Sequence, residues 1–349
     1  MKGVPALSSA SSEPLDIILG NYPVSVLEIR NESYKDKKGV WWIKTREGMR
    51  ILKKISNSED TLKFILDAVR HLSSNGVNLP AVLKTRDGKD YVNHQDVCYV
   101  LTEAIDGRNP SYSSPDELNL VVSGLAQFHK SSAGFFPAQG TKPKYHLGLW
   151  VEDYWEQIED INGLYKKELL NESINKTGEV IIREFPYFYS RAQMAINGLR
   201  EQNYTDWVKK AGKSGCLCHQ DFAAGNLIVT RTNSLYVLDT DSITVDIPAR
   251  DIRKLLNKVM KKLGKWDRNL TRTMLARYQE DNPLTASEWQ VVKLDLMFPH
   301  LFIGAVNKYY YRRDKEWSED KYLQRIVEMT GFEKSVQPLL DNFDSISPV

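Results

Sequence analysis

Apolar positions recur along this chain in two rhythms. Up to about residue 105 the pattern is mostly strand-like. "SVLEIRN" reads as a short strand, and "GVWWIKTREGMRILKKI" reads as two strands around a turn at Glu47-Gly48, with β-branched and aromatic residues on both sides. "SEDTLKFILDAVRHLSSNG" then places Leu62, Ile65, Leu66, Val69 and Leu72 at helical spacing, with Gly76 just past the end. "AVLKTRDGKDYVNHQDVCYVLTEAI" predicts further hairpin strands, with turn chemistry at Asp87-Gly88.

Beyond "DGRNPSYSSPDEL" the period becomes helical. Ser114 caps the first of these helices, with Pro115 at its first position and Glu117 three residues after the cap. "DELNLVVSGLAQFHKSS", "GLWVEDYWEQIEDINGLYKKELL", "EVIIREFPYFYSRAQMAINGLR" and "DIRKLLNKVMKKLG" all carry apolar stripes, and Thr285 to Glu288 forms a second capping box. One strand-like interruption stands out, "GCLCHQDFAAGNLIVTRTNSLYVLDTDS". The expected organisation is a flexible tail over 1–15, a strand-rich lobe with one helix over 16–105, and a larger, mainly helical lobe over 106–349.

Composition adds limits. The chain has 349 residues, 42% hydrophobic and 26% charged, with a formal net charge of +2. That length favours two packed units, and that charge gives no electrostatic case for nucleic acid. Three cysteines make no disulfide framework, which points to a reducing compartment. The start, "MKGVPALSSASSEPLD", lacks the apolar run of a signal peptide, so cytoplasmic synthesis is expected, and no stretch reaches the roughly 20 apolar residues of a membrane span.

The interruption carries the chemistry. Two short strands around a turn at Arg231 to Ser234 would bring the polar loop His219–Asn226 near "DTD" at their far end, gathering Asp221, Asn226, Asp239 and Asp241. Three carboxylates and an amide oxygen suit a hard cation such as Mg²⁺. The spacing His-x-Asp-x-x-x-x-Asn matches the catalytic loop of protein kinases, with Asp239 following eighteen residues after Asp221 (239 − 221). In that pattern the aspartate orients and deprotonates the acceptor hydroxyl, while the asparagine and the second aspartate hold Mg²⁺. Cys216, Cys218 and His219 could instead ligate zinc, but the Cys-x-Cys has no second pair, and Cys98 is the only other cysteine. Buried packing is the better reading of both thiols.

"CHQDFAAGN" followed by "VLDTDS" resembles the signature of the aminoglycoside phosphotransferase and choline kinase superfamily, whose members have a two-lobed protein-kinase-like fold. "RILKKI", "YVLTEAIDG", "LAQFHKSS" and "DIPARDIRKLL" resemble, in order, the phosphate-binding lysine strand, the hinge, the first large helix of the second lobe and the stretch supporting the catalytic loop. Within the superfamily, Gln220 and "LDLMFPHLFIGAVNKYYYRR" most resemble spore coat proteins of the CotS type, CotI included, from Bacillus-like spore formers. The resemblance covers about residues 20 to 335 and implies an α+β fold with a small antiparallel-sheet lobe. It implies Asp221 as the base, Asn226 and Asp239 as Mg²⁺ ligands, and Lys53, rather than Lys54, on the α/β-phosphates. The backbone around Glu103 would meet the adenine. His219, Asp241 and Asp251 would support the site.

The function so implied is transfer of phosphate from ATP, or another nucleoside triphosphate, with Mg²⁺, to the hydroxyl of an unidentified small molecule. The location so implied is the spore coat, with other coat proteins as partners and neither nucleic acid nor membrane. The alternative is a structural coat component with the same fold and no turnover. "NESYKDKKGV", between the first two strands, has only Gly39 and so no glycine-rich phosphate loop. Glu59, Asp60 and Asp67 are the carboxylates within reach of sequence reasoning as partners for Lys53. The six basic residues of "RKLLNKVMKKLGK" read as a solvated helix face, with contact to an anionic substrate or coat partner as the alternative.

Overall fold

The structure, a computed structural model, describes residues 13–35, 38–313 and 316–349. Most of the expected tail lies outside the described residues, and its last residue already opens a short helix, α1 (Leu15–Gly20). Then come β1 (Val26–Lys35), β2 (Lys38–Thr45), β3 (Gly48–Ile55), α2 (Glu59–Ser74), β4 (Val92–His94) and β5 (Val97–Glu103). These five strands form an antiparallel sheet in the order β1-β2-β3-β5-β4.

Two turns fall away from their expected places, the first by one residue. The β2–β3 turn is Arg46-Glu47, and Gly48 already pairs with Thr45 at φ +119°. The hairpin turn near residue 90 is Gln95-Asp96, both left-handed at φ 52° and 63°, as a two-residue hairpin demands. Asp87-Gly88 closes a local turn instead, with the Gly88 N–H donating to the Thr85 carbonyl at 3.0 Å. Gly39 makes room: a Cβ there would stand 2.3 Å from the Trp41 ring. Strand alternation buries Trp41 and leaves Trp42 half-buried.

One sheet face packs on α1 through Ile18, Leu19, Tyr22, Trp41, Leu52 and Leu101. The other packs on α2 through Ile55, Leu62, Leu66, Cys98 and Val100.

The helical part contains α3 (Pro115–Ser131), α4 (Trp150–Leu169), α5 (Lys176–Leu199) and α6 (Gln202–Ser214). Helix α6 was not foreseen. It buries only Tyr204, Trp207 and Ala211, a stripe too thin to read in sequence. β6 (Leu217–Cys218) leads into the polar loop and is followed by the hairpin β7 (Leu227–Val229) and β8 (Leu235–Val237). β9 (Thr244–Val245) pairs back with β6, and α7 (Ala249–Leu263), α8 (Arg268–Asp281), α9 (Ala286–Met297), α10 (His300–Tyr310), α11 (Glu319–Lys334) and α12 (Gln337–Asp341) complete the chain.

The chain packs as two compact units. One holds Met1–Pro110, Phe136–Lys144 and Gly225–Asp241; the other holds Ser111–Phe135, Tyr145–Ala224 and Ser242–Val349. The hairpin β7–β8 therefore belongs with the sheet rather than with the helices that flank it in sequence, a departure from the expected division at 105/106. Hydrogen bonds are the cause. Asn78 O accepts from Val237 N at 2.9 Å, Asn109 Nδ2 donates to Leu227 O at 2.8 Å, and Arg108 and Val229 exchange backbone bonds. The second unit is centred on buried aromatics, among them Phe128, Trp150, Tyr154, Phe188 and Trp289. Among the described residues no helix is long and apolar enough to cross a membrane.

Candidate functional site

The sequence-selected residues are divided between the units. In the first, β3 alternation sends Lys53 and Lys54 to opposite faces. Lys54 Nζ lies 2.5 Å from Glu13 Oε1, on the α1 side. Lys53 Nζ lies 3.2 Å from Asp239 Oδ1. Asp239, and none of the three α2 carboxylates considered in sequence, is thus the ion-pair partner of Lys53 among the described residues. Glu59 is taken by Tyr91, Asn93 and Lys63, Asp60 by Lys63, and Asp67 by Arg70.

Asn226 and Asp239 are brought to the same end of the hairpin, because Leu238 N donates to Asn226 O at 2.8 Å. Asp239 sits at φ 52°, a left-handed conformation that Asp tolerates better than most residues. Asp241 follows in a short 3₁₀ turn, 3.9 Å from Lys38 Nζ, and its carbonyl accepts from Lys144 Nζ at 2.5 Å. Lys144 was not picked out in sequence, where nothing distinguishes it. Burial lowers its ammonium pKa from the usual lysine value, against the pull of Asp241 and with a push from Lys38. Asn226, Asp239 and Asp241 offer oxygen donors, the set that fits Mg²⁺. Glu103 ends β5 opposite Arg50; its N–H donates to Ala81 O at 3.0 Å, and its Oε1 accepts from Ala81 N at 3.1 Å.

In the second unit the loop after β6 hangs on Asp251. This carboxylate, at the start of α7, accepts from His219 N at 2.6 Å and Gln220 N at 2.9 Å, and lies 3.3 Å from His129 Nε2. Burial works to raise the Asp251 pKa, but the His129 hydrogen bond and neighbouring cations bring it below the ordinary carboxylate value. His219 is fully buried, and its Nδ1 accepts from Asp221 N at 3.3 Å. The loop entry needs Gly215, at φ +74°, since a Cβ there would meet Phe135 O at 2.4 Å.

Cys216 and Cys218 are buried free thiols, and burial pushes the Cys216 thiol up to about 12. Cys218 Sγ donates to Ile247 O at 3.1 Å. Both are buried, as the packing reading expects.

Asp221 itself lies 2.5 Å from Lys258 Nζ, and Lys254 Nζ donates to both Gln220 O, at 2.8 Å, and Gln220 Oε1, at 2.7 Å. The helix face expected to be solvated therefore turns two of its lysines to the loop, and Arg253 is buried against Asp295 at 2.9 Å. The signal was present: Lys254 and Lys258 follow Asp251 by three and seven residues, on the same side of a helix.

A family model described as "Spore coat putative kinase YutH" matches residues 26–343. The chain belongs to this family. Consistent with membership, it is 28% identical over 335 residues to spore coat protein S of Bacillus subtilis (strain 168), covering 94% of this chain and 93% of that protein.

Among solved structures, an aminoglycoside phosphotransferase from Alicyclobacillus acidocaldarius aligns with a TM-score of 0.79 at 17% identity, over 97% of each chain. A spectinomycin phosphotransferase solved with ADP and spectinomycin aligns at 0.65 and 12% identity, over 93% of this chain and 97% of that one. These likenesses establish the fold as kinase-like: an antiparallel-sheet N-terminal part and a mainly helical remainder.

Proposed function

We propose that this member of the spore coat kinase family is a phosphotransferase of the spore coat, moving phosphate from a nucleoside triphosphate, ATP by preference, to the hydroxyl of a small molecule with Mg²⁺. The observation that carries the reading is in the first unit: Lys53 of the central strand β3 stands 3.2 Å from Asp239, at the hairpin end where Asn226 is also held. A phosphate-binding cation and oxygen ligands for a metal are thereby presented together. Mg²⁺, when bound by Asn226 and Asp239, would neutralise phosphate charge.

The chain's own residues supply the rest. Lys53, released from Asp239, would contact the α/β-phosphates. Asp221 would take the proton of the acceptor hydroxyl at a carboxylate oxygen. His219 and Asp251 would fix the Asp221 backbone, so that catalysis rests on positioning and electrostatics.

One observation favours the second reading, a structural coat protein without turnover: Asp221 already pairs with Lys258. The test is a thermal-shift titration with Mg-ATP, followed by a phosphate-transfer screen of hydroxylated metabolites with Asp221→Ala as the blank. A nucleotide shift with acceptor-dependent transfer supports the enzyme, and the absence of any nucleotide shift leaves the structural reading.

A further inference from the structure

The loop carrying Asp221 is walled, within its own unit, by lysines. Lys254, Lys258, Lys261 and Lys262 share one face of α7, opposite the apolar stripe of Ile252, Leu255, Leu256, Val259 and Met260. Three of these lysines make defined contacts. Lys254 is half-buried and its pKa is lowered to about 8, by burial first and then by Arg253. Lys258 reaches Asp221. Lys262 Nζ sits 4.8 Å from the ring centroid of Tyr112, whose hydroxyl accepts the Ala224 N–H at 2.8 Å.

A second observation is independent of the charges. Gln220 occupies φ 70°, a left-handed conformation that costs a side-chain-bearing residue strain a glycine would avoid. What the side chain does in return is hold Lys254 with Oε1. Its Nε2, buried, has no acceptor among the described residues. The neighbourhood is rich in donors and short of acceptors. The nearby carboxylates are engaged: Asp251 by the loop amides, Asp221 by Lys258, and Glu328, beside Lys261, by Arg325 at 3.1 Å.

We propose that Lys258, backed by Lys254 and Gln220, anchors an anionic group of the acceptor, so that the acceptor is a hydroxyl compound carrying its own carboxylate or phosphate. The inference rests on the phosphotransferase reading for the role of Asp221. A hydroxyl within hydrogen-bond reach of Asp221, about 2.6–3.2 Å, necessarily has the Lys258 ammonium as a neighbour. A cationic acceptor would be repelled there. An anionic one draws Lys258 from Asp221, freeing the carboxylate oxygen that must receive the proton. Substrate binding and unmasking of the base are then one event.

The test is calorimetric titration of the full chain, with and without Mg-ADP, using glycerol 3-phosphate, glycerol and choline as anionic, neutral and cationic probes. Glycerol 3-phosphate should bind best. Its affinity should fall about 10-fold or more in Lys258→Met and be largely restored in Lys258→Arg. Choline or glycerol binding as tightly as glycerol 3-phosphate, a Lys258→Met chain that keeps the parent affinity, or no binding of the anionic probe by the parent would each overturn the proposal. Binding of Mg-ADP is read separately. Its absence defeats the phosphotransferase reading, while the anion anchor still stands or falls on the probe titration.

Discussion

Lys53 and Asp239 meet in the first unit with side chains 27% and 44% exposed, whereas Asp251 of the second unit is 1% exposed and accepts two backbone N–H groups. An exposed ion pair of the first kind contributes about 0–1 kcal/mol, so a metal or phosphate can replace it at little cost. A buried, fully hydrogen-bonded carboxylate of the second kind is expensive to disturb. The contrast separates groups that must change partners when ligand arrives from groups that must not. Lys53 and Asp239 neutralise each other until something else does, while Asp251 fixes the backbone from which Asp221 projects.

The comparison breaks most visibly at Asp239. Asp239→Asn keeps a residue that tolerates the left-handed backbone and removes the charge. The variant should remain folded and lose Mg-nucleotide binding. A nucleotide near 100 times its dissociation constant stabilises a binding protein by roughly 2.7 kcal/mol, and that gain should vanish. An Asp239→Asn chain whose melting temperature still rises with Mg-ATP as the parent's does would remove Asp239 from the metal site. Asp221→Asn should do the opposite: nucleotide affinity retained, with the transfer rate down by about 10²–10⁴, measured in single-turnover assays.

Two stability measurements sharpen the contrast directly. Asp251→Asn should cost about 3–5 kcal/mol in denaturant unfolding, because its amide would face N–H donors from inside the core. Lys53→Met should cost no more than about 1 kcal/mol. Equal costs would mean that the two carboxylate sites are held alike. Between these lies the Cys216→Ala, Cys218→Ala double variant, expected to lose about 1–3 kcal/mol and to keep nucleotide binding. Stoichiometric zinc in the parent, lost with the thiols, would contradict their role as packing groups.

Much of this arrangement was legible in sequence for physical reasons. The helical stripe of α2, the alternation separating Lys53 from Lys54, and the His-x-Asp spacing with Asp251 downstream are local patterns, and the structure keeps each of them. What escaped was set by tertiary contact. Residues 225–241 join the sheet unit through hydrogen bonds to Asn78 and Asn109, which no periodicity encodes. The partner of Lys53 is Asp239, 186 residues away. The lysines of α7 read as a solvated face because charge opposite an apolar stripe usually means water, and only the loop lying over Lys254 and Lys258 makes it otherwise.

Lys254 gives the finest test of how tightly that loop is held. Its folded pKa, about 8, lies below the ordinary lysine value of 10.5. Between those two values the unfolded chain keeps a proton that the folded chain has released. Raising the pH removes that proton from the unfolded state, so this residue's contribution to stability increases with pH across the window and is at its least favourable below pH 8. From pH 8 to 9.5 the parent should therefore gain about 1.6 kcal/mol relative to Lys254→Met, since a full pH unit inside the window is worth roughly 1.4 kcal/mol and the folded group is half-titrated at pH 8. Comparing slopes removes the thiols and phenols, which titrate alike in both chains. It also removes any constant loss from the two hydrogen bonds to Gln220. Denaturant unfolding of both chains at several pH values measures it. Parallel curves would mean that Lys254 is solvated and that α7 does not close over the Asp221 loop.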